Sequence, residues 1–310
     1  MDRPDHAAVS NAVTMVDSRP VRERVAEYVR GEVTRRTFRP PTPPAGREIA
    51  LWTRNGWAGQ QVVGERAHFA ALRAVVGPAH RAAGSEHRVP ATLVPEPTNR
   101  FDPDAVAVHI GGQRIGYLPR EDAARYRPAL DEIHASGHMP TVAARVWAAD
   151  YEDWDDNAET TVPRFGAGVH LALDEPHLLL PVNAAPAAPH VLLPHGSTIQ
   201  VHDTAAHLDR IAAIPADRGE RWAFATLHHV HEELARSTRD IVEVRVDGAR
   251  VGKLTPKMSG DVLPAVQFLA DRQRLAAARL LVSGNRAAVT AALYVVRAHQ
   301  LEDGWFDDVQ

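Results

Sequence analysis

The chain has 310 residues, of which 45% are hydrophobic and 24% are charged, and it contains no cysteine. This length is enough for two domains with hydrophobic cores of their own. Without cysteine, disulfides and thiolate zinc sites are excluded. The polar first 18 residues and the lack of any apolar run of membrane-spanning length argue against a signal peptide and a membrane span. We therefore expect a soluble cytoplasmic protein with no membrane partner.

The formal net charge of −4 comes from 35 basic and 39 acidic side chains, which are unevenly distributed. Residues 150–159 hold six carboxylates and no base, and residues 302–308 hold four more carboxylates. We expect both acidic stretches to lie outside the folded parts of the chain, which are then mildly basic. Such a protein can form a local phosphate-binding groove, and we expect its affinity for a polyanion to be modest and sensitive to salt.

The first predicted element is an amphipathic helix near the N-terminus. Five side chains fall on its apolar face: Val21, Val25, Tyr28, Val29 and Val33. The opposite face is rich in arginine, and the prolines between residues 40 and 44 predict an extended linker. We interpret residues 1–46 as this helix, packed against its own domain, and the linker. The alternative is an arm that contacts DNA or a partner protein.

A second proline-rich stretch covers residues 176–195, which contain five prolines. This composition favours an irregular connection between two domains. The apolar clusters at 178–180 and 191–193 indicate that the connection lies on a domain surface. The interpretation leaves domains at 47–175 and 196–300 and an acidic tail at 301–310.

These two halves match one another in order and spacing. The segments Gln61-Val62, His68-Phe69, Ala91-Thr92-Leu93, Val106, Arg114-Ile115-Gly116 and Leu118 recur as Gln200-Val201, His207-Leu208, Ala225-Thr226-Leu227, Val242, Arg250-Val251-Gly252 and Leu254. Self-similarity of this kind predicts a tandem duplication. The offsets drift by a few residues in loops, as expected for one fold used twice.

Within each half the periodicity is typical of strands. In the first half residues 105–110 alternate, turn at Gly111-Gly112 and return over 113–118; the second half turns at Asp247-Gly248. Helices are predicted over 120–136 and 256–272, followed by closing strands over 141–148 and 275–282. The first half then has the acidic loop 150–159 and a strand at 169–173, whereas the second turns at 284–285 into a strand over 289–298. The predicted fold class is α+β, mainly β, with two tandem OB-like small β-barrels that each carry one or two helices.

One long motif in the first half resembles that of a known protein family. It consists of Val-Gly-Glu at 63–65, Leu-Val-Pro-Glu-Pro-Thr-Asn-Arg-Phe-Asp-Pro-Asp-Ala-Val-Ala-Val at 93–108, and Ile-Gly-Tyr-Leu-Pro-Arg at 115–120. The motif resembles the HIRAN domain, over residues about 60–149. The resemblance implies an OB-type barrel that holds the free 3′-hydroxyl end of single-stranded DNA, in DNA repair, replication or defence. Bacterial members of the family occur alone or fused to other modules, so another protein is an expected partner that supplies enzymatic activity.

The resemblance points to five nucleic-acid-binding residues: Gln61, Phe101, Asp102, Tyr117 and Arg120. Phe101 is expected to stack on the terminal base, and Asp102 to accept a hydrogen bond from the ribose hydroxyl while it repels a terminal phosphate. Tyr117 and Arg120 are expected to contact backbone phosphate, aided by the positive end of the following helix. Gln61 stands where the family has an aromatic residue, so a two-sided base sandwich loses one wall.

Two polar residues of the motif also fit a purely structural role. Asn99 and Asp102 can tighten a turn by bonding nearby backbone amides, and for Asn99 we favour that role. The second half has no aromatic-aspartate pair between Leu227 and Val242, so we interpret it as a degenerate HIRAN-like repeat. Lys253 and Lys257 flank its Leu254-Thr255-Pro256 turn and can preserve a phosphate-contacting surface.

Other functions have weaker sequence support. His228, His229, His231 and Glu232 suggest a metal site, but the His-Glu-x-x-His spacing is absent, and we expect no metal ligands and no cofactor. No P-loop, nucleophile elbow or dinucleotide fingerprint is present, so we expect that the protein is not an enzyme. Two alternatives stay open: a protein-interaction scaffold, and a metal-dependent nuclease that uses the acidic residues 150–156.

Overall fold

The computed structural model describes residues 46–54, 56–156, 159–214, 219–285 and 287–308. The predicted N-terminal helix and its proline-rich linker lie outside the described residues. The described residues form two seven-stranded sheets with a few helices. The predicted mainly β fold class is confirmed. In the described part of the chain, no helix is both long and apolar enough to cross a membrane.

The first sheet uses residues 47–171. Its strands are β1 (Arg47–Ala50), β2 (Gln60–Gln61), β3 (Ser85–Pro95), β4 (Val106–Ile110), β5 (Gln113–Tyr117), β6 (His138–Asp155) and β7 (Thr160–Leu171). They lie in the order β2-β7-β6-β3-β4-β5, and β1 adds to β6 as a parallel strand. The helices are α1 (Phe69–Val76) and α2 (Arg120–Ala135), with 3₁₀ turns at Glu65–His68, Gly77–Ala79 and Pro176–Leu178.

The two edges of this sheet meet just after β2. Val63 and Tyr117 exchange two backbone hydrogen bonds, at 2.8 and 2.9 Å, which join β5 to the segment that follows β2. Gly116 lies at the crossing, where a Cβ would be 2.6 Å from Val62 Cγ1 and 2.7 Å from Val63 O. Glycine therefore permits the close approach that closes the sheet into the first barrel.

The second sheet repeats this arrangement. Its strands are β8 (His190–Leu192), β9 (Ser197–Val201), β10 (Glu220–Leu234), β11 (Ser237–Val246), β12 (Ala249–Lys253), β13 (Leu275–Gly284) and β14 (Val289–Val295). They lie in the order β9-β14-β13-β10-β11-β12, with β8 parallel to β13. The helices are α3 (Leu208–Ile211), α4 (Pro256–Ala270) and α5 (Asp303–Asp308), with 3₁₀ turns at Thr204–His207 and Ala298–Gln300. His202 and Lys253 close this second barrel, again beside a glycine, Gly252.

Small irregularities recur at equivalent positions of the two barrels. A register shift falls between Val108 and His109 in the first barrel and between Val244 and Arg245 in the second. The hairpin turns 111–112 and 247–248 both have positive φ at their two central residues, as a type I′ turn requires. The equal strand order and shared irregularities support one fold used twice. One strand of the second sheet, β8, lies inside the range 176–195 that was predicted as an irregular connection. The exact domain boundaries stay a prediction.

Both acidic stretches are part of the folded chain, so their predicted place outside it was wrong. Residues 150–155 continue β6 and pair with β7, where the ladder runs as far as Asp155 opposite Thr160. A two-stranded ribbon tolerates the charges because its side chains remain in solvent while the backbone hydrogen bonds are satisfied within the ladder. Near the C-terminus, Trp305 and Phe306 of α5 place their rings against Phe268 of the second barrel.

Each barrel has its own hydrophobic core, and a smaller cluster joins the two. The joining cluster consists of Trp52, Leu178, Trp222 and Leu281. The rings of Trp52 and Trp222 meet edge to face with centroids 5.7 Å apart. Aromatic pairs of this geometry contribute about 0.5–1.5 kcal/mol beyond the area that they bury. The two barrels therefore pack directly against each other.

Candidate nucleic-acid interface

The loop between β3 and β4, residues 96–105, begins at a buried carboxylate. Glu96 is 8% exposed, and its amide donates to Ala105 O at 2.8 Å, which closes the base of the loop. Its carboxylate accepts from Asn99 Nδ2 at 2.9 Å, from an Arg114 guanidinium nitrogen at 3.2 Å and from the Tyr117 hydroxyl at 3.3 Å. A buried carboxylate needs such partners, and here they fix the loop to the β4-β5 hairpin.

Two successive Asx turns shape the tip of the loop. Asn99 Oδ1 accepts from the Phe101 amide at 3.0 Å, and Asp102 Oδ1 accepts from the Asp104 amide at 3.0 Å. The structural role favoured for Asn99 is therefore observed, and Asp102 has a turn role as well. Between the two turns the Phe101 side chain projects outward and is 65% exposed. A large ring held outside the core is accessible to a ligand.

Arg100 lies over the Phe101 ring, with its guanidinium carbon 4.7 Å from the ring centroid. This cation-π contact orients a positive charge beside an exposed aromatic face. The sequence interpretation did not include Arg100. Its position next to an aromatic residue in the motif was the available signal, since arginine commonly accompanies aromatic rings at sites that bind single strands.

Arg120 and Asp102 form an ion pair beside Phe101. Arg120 is the first residue of α2, and its Nε donates to Asp102 Oδ2 at 3.0 Å while a terminal nitrogen donates to Phe101 O at 3.1 Å. The structure thus brings together three of the five predicted residues. Each Asp102 oxygen retains a further lone pair, and the Arg120 side chain is 73% exposed. Both groups remain able to bind a ligand.

Tyr117 directs its hydroxyl inward from the end of β5. The hydroxyl donates to Glu96 and accepts from Arg114. Burial raises the pKa of Tyr117 to about 12; the Arg114 charge opposes this shift and the Glu96 carboxylate adds to it. The hydroxyl that was predicted to meet phosphate is thus engaged in the support of the loop, and its contact with DNA stays a prediction.

Gln61 lies on β2, at the seam where the first barrel closes. It is exposed and pairs with His170 of β7. Its neighbour Gln60 donates from Nε2 to Asp122 Oδ2 at 2.8 Å, in the first turn of α2. The seam is therefore tied to the same helix start that carries Arg120. Gln61 therefore lies on this seam, and its contact with a bound base stays a prediction.

A comparison with known protein families covers the loop and its supports. A family model for the HIRAN domain matches residues 75–154. No curated protein and no solved structure matches the chain. The HIRAN match includes Phe101, Asp102, Tyr117 and Arg120, so the resemblance in the first half is confirmed over this range. Gln61 and the whole second barrel lie outside the matched residues, and the assignment of a second HIRAN-like repeat stays a prediction.

The HIRAN-matched region also carries an exposed aromatic face that the sequence interpretation missed. Trp147 and Tyr151 of β6 are 52% and 49% exposed, and strand alternation places them on one face. Arg145 lies on the same face, with its guanidinium carbon 4.7 Å from the ring centroid of Trp57, which is 67% exposed. The sequence signal was their spacing along β6: Arg145, Trp147 and Tyr151 are separated by even numbers of residues, so they point away from the face of the buried Val146.

In the second barrel, the position equivalent to Tyr117 is occupied by a lysine that forms ion pairs. Lys253 stands where Tyr117 stands in the first barrel, and its ammonium contacts Glu232 at 2.7 Å and Asp203 at 3.1 Å. Glu232 also pairs with Arg239 across the β10-β11 hairpin. The lysine at this position is therefore paired with acidic side chains, whereas Tyr117 of the first barrel contacts Glu96 and Arg114.

Two aspartates of the acidic ribbon that suggested a nuclease form ion pairs as well. Asp150 contacts Arg73 at 3.4 Å and His80 at 3.2 Å, and Asp155 contacts Arg164 at 2.8 Å. A two-metal nuclease needs carboxylates that converge on a shared pair of ions. The observed pairing gives Asp150 and Asp155 basic partners, and a nuclease activity of the ribbon stays an untested alternative.

Proposed function

We propose that the first barrel binds single-stranded DNA at a free 3′ end and that the protein acts by binding rather than by catalysis. The observation that carries the proposal is the exposed Phe101 ring beside the Asp102-Arg120 pair, within a region that matches the HIRAN family. A stacking surface, a hydrogen-bond acceptor and a cation at one loop tip are the groups that a terminal nucleotide requires.

Each group has a defined task in this proposal. The terminal base stacks on Phe101, which contributes about 1–3 kcal/mol whatever the base. The 3′-hydroxyl donates to a lone pair of Asp102, and Arg120 contacts a backbone phosphate. A phosphate at the 3′ position would face the Asp102 carboxylate, and the like charges would repel each other. The loop therefore selects an unmodified end.

Two of the predicted residues act less directly. Tyr117 contacts Glu96 and Arg114 and so holds the loop in its binding shape. Gln61 offers amide hydrogen bonds where the family has an aromatic ring, so the terminal base is stacked on one side. We expect weaker affinity than a two-sided aromatic sandwich gives.

The aromatic face of Trp147 and Tyr151 is a second place for the strand on the same barrel. Stacking on exposed rings tolerates any sequence, and Arg145 supplies a nearby positive charge. The same face also favours a second function, a protein-interaction scaffold, because tryptophan, tyrosine and arginine are enriched at protein interfaces. In either case a partner protein would supply enzymatic activity for repair, replication or defence.

A binding experiment separates these functions. Fluorescence anisotropy of the full chain is measured with a labelled single strand, the same strand with a 3′-phosphate, and a blunt duplex, over a series of salt concentrations. We expect the free single strand to bind at least about tenfold more tightly than the 3′-phosphorylated strand, which corresponds to about 1.4 kcal/mol. Equal binding of the two strands would refute end recognition. No salt-dependent binding to any DNA would refute the proposal and leave the scaffold.

A further inference from the structure

The β10-β11 hairpin extends beyond the second barrel and carries two histidines and an aspartate on one face. Residues two apart on a strand point to the same side, so His229 and His231 share the side of the buried Leu227. Asp240 of β11 lies directly opposite His231 in the ladder. The backbone register therefore brings three potential ligands from two strands to one place, at the edge of the hydrophobic core, where His229 lies opposite the buried Val242.

The three side chains already converge. His229 Nε2 and His231 Nδ1 each lie 2.7 Å from Asp240 Oδ1. Among the described residues, this is the group of three histidine or acidic side chains whose ligand atoms all lie within 4.8 Å of one another. Bonds of about 2.0–2.2 Å to one metal ion would place those atoms roughly 3–4 Å apart. Small side-chain rotations suffice to reach that geometry, because His231 and Asp240 are more than half exposed.

A fourth residue fits the role of orienting one ligand. The side-chain amide of Gln267 on α4 lies 3.4 Å from His229 Nδ1, the ring nitrogen that faces away from Asp240. Histidine ligands usually donate their second N–H to an acceptor that fixes the ring. The oxygen and nitrogen of a glutamine amide exchange places by a simple flip, which presents the required acceptor.

We propose that His229, His231 and Asp240 form a binding site for one divalent transition-metal ion of the zinc type, with Gln267 as a positioning residue. Two imidazole nitrogens and one carboxylate oxygen suit Zn²⁺ and related ions better than Mg²⁺ or Ca²⁺, which prefer oxygen ligands alone. Three protein ligands leave at least one coordination position for water or another ligand. The site lies in the second barrel and does not depend on the proposed DNA-binding loop.

Metal titration of the full chain tests this site. The protein is prepared without a polyhistidine tag, stripped with a chelator, and titrated with Co²⁺ by absorption spectroscopy and with Zn²⁺ against a chromophoric chelator. We expect saturation at one equivalent of metal. We expect His231→Ala and Asp240→Asn each to weaken binding by at least about tenfold, the lower bound for loss of even an orienting partner.

His228→Ala is the matched control, because His228 points to the opposite face of β10 and contacts Thr226 at 2.9 Å. This variant removes one histidine from the same strand and should bind metal like the wild type. Circular dichroism confirms the fold of each variant, and Asp240→Asn keeps the side-chain shape. The proposal fails if the wild type does not saturate at one equivalent, or if His228→Ala loses as much affinity as His231→Ala.

Discussion

Arg120 donates from Nε to Asp102 Oδ2 at 3.0 Å, and the two residues are 18 positions apart in the chain. Arg120 is 73% exposed and Asp102 21% exposed, so solvent screens the pair and its contribution to stability is about 0–1 kcal/mol. Its more important effect is electrostatic. The guanidinium partly compensates the carboxylate that the proposed DNA end would meet, so the two residues set end selection together.

The first prediction concerns this pair and the ratio of affinities for 3′-hydroxyl and 3′-phosphate strands. Arg120→Ala leaves the Asp102 carboxylate uncompensated, so the preference for the free hydroxyl should increase although overall affinity falls. Asp102→Ala frees Arg120 to meet a terminal phosphate, so the preference should shrink or reverse. Anisotropy titrations of the wild type, both single variants and the double variant measure the ratio. The prediction would be contradicted if all four proteins had the same ratio of affinities for the 3′-hydroxyl and 3′-phosphate strands.

The second prediction concerns the Phe101 ring. Phe101→Ala should weaken binding of both strands by about 1–3 kcal/mol, because stacking does not depend on the end group. The ratio between the two strands should stay unchanged, and Phe101→Trp should retain most of the affinity. Leu234→Ala is a suitable control, since Leu234 is a 44% exposed apolar side chain in the second barrel. A change in the end preference of Phe101→Ala would show that the ring takes part in end selection.

Much of the barrel framework was predictable because its signals are local. The glycine turn at 111–112 and its counterpart at 247–248 follow from positive φ preferences, and alternation identified the flanking strands. The continuation of β6 to Asp155 was not predictable in this way. Its stabilising contacts are backbone hydrogen bonds to β7, and the exposed acidic side chains carry no apolar period that would reveal them.

The candidate site likewise has residues that the sequence identified and contacts that it could not predict. Phe101 and Asp102 are adjacent in a specific motif, so the motif identified them directly. The engagement of Tyr117 with Glu96 depends on how β5 packs beside the loop, and sequence spacing does not determine such a contact. Asp240 was missed beside the two histidines because its place opposite His231 depends on strand register.

The third prediction concerns the glycines where the barrels close. A Cβ at Gly116 would meet Val62 and Val63, and a Cβ at Gly252 would lie 2.4 Å from His202 O. Gly116→Ala and Gly252→Ala should each lower the free energy of unfolding by about 1–3 kcal/mol, the usual cost of overpacking. Gly168→Ala is the control, because a Cβ there would have no neighbouring atom within 4 Å beyond the adjacent residues. Urea denaturation measures all three, and an equal effect at Gly168 would contradict a steric cause.

The fourth prediction concerns the dependence of stability on pH. His109 on β4 is 4% exposed, and burial lowers its pKa below the ordinary value of 6.5, with the nearby Arg114 charge acting in the same direction. Burial likewise lowers the pKa of His68, with Arg114 and His109 as further causes. Below about pH 6.5 the unfolded chain therefore binds protons that the folded chain resists.

The resulting stability is present above about pH 6.5 and is lost as the pH falls towards the lowered pKa of the folded state. Urea denaturation at several pH values between about 7.5 and 5 should show a falling free energy of unfolding in the wild type. His109→Gln removes one of the titrating groups, so its stability should fall less over the same interval, whatever its stability at neutral pH. The difference between the two curves removes the contribution of the carboxylates, which both proteins share, and reports His109 together with its effect on the pKa of His68. Parallel curves would show that His109 is not protonated on unfolding in this interval.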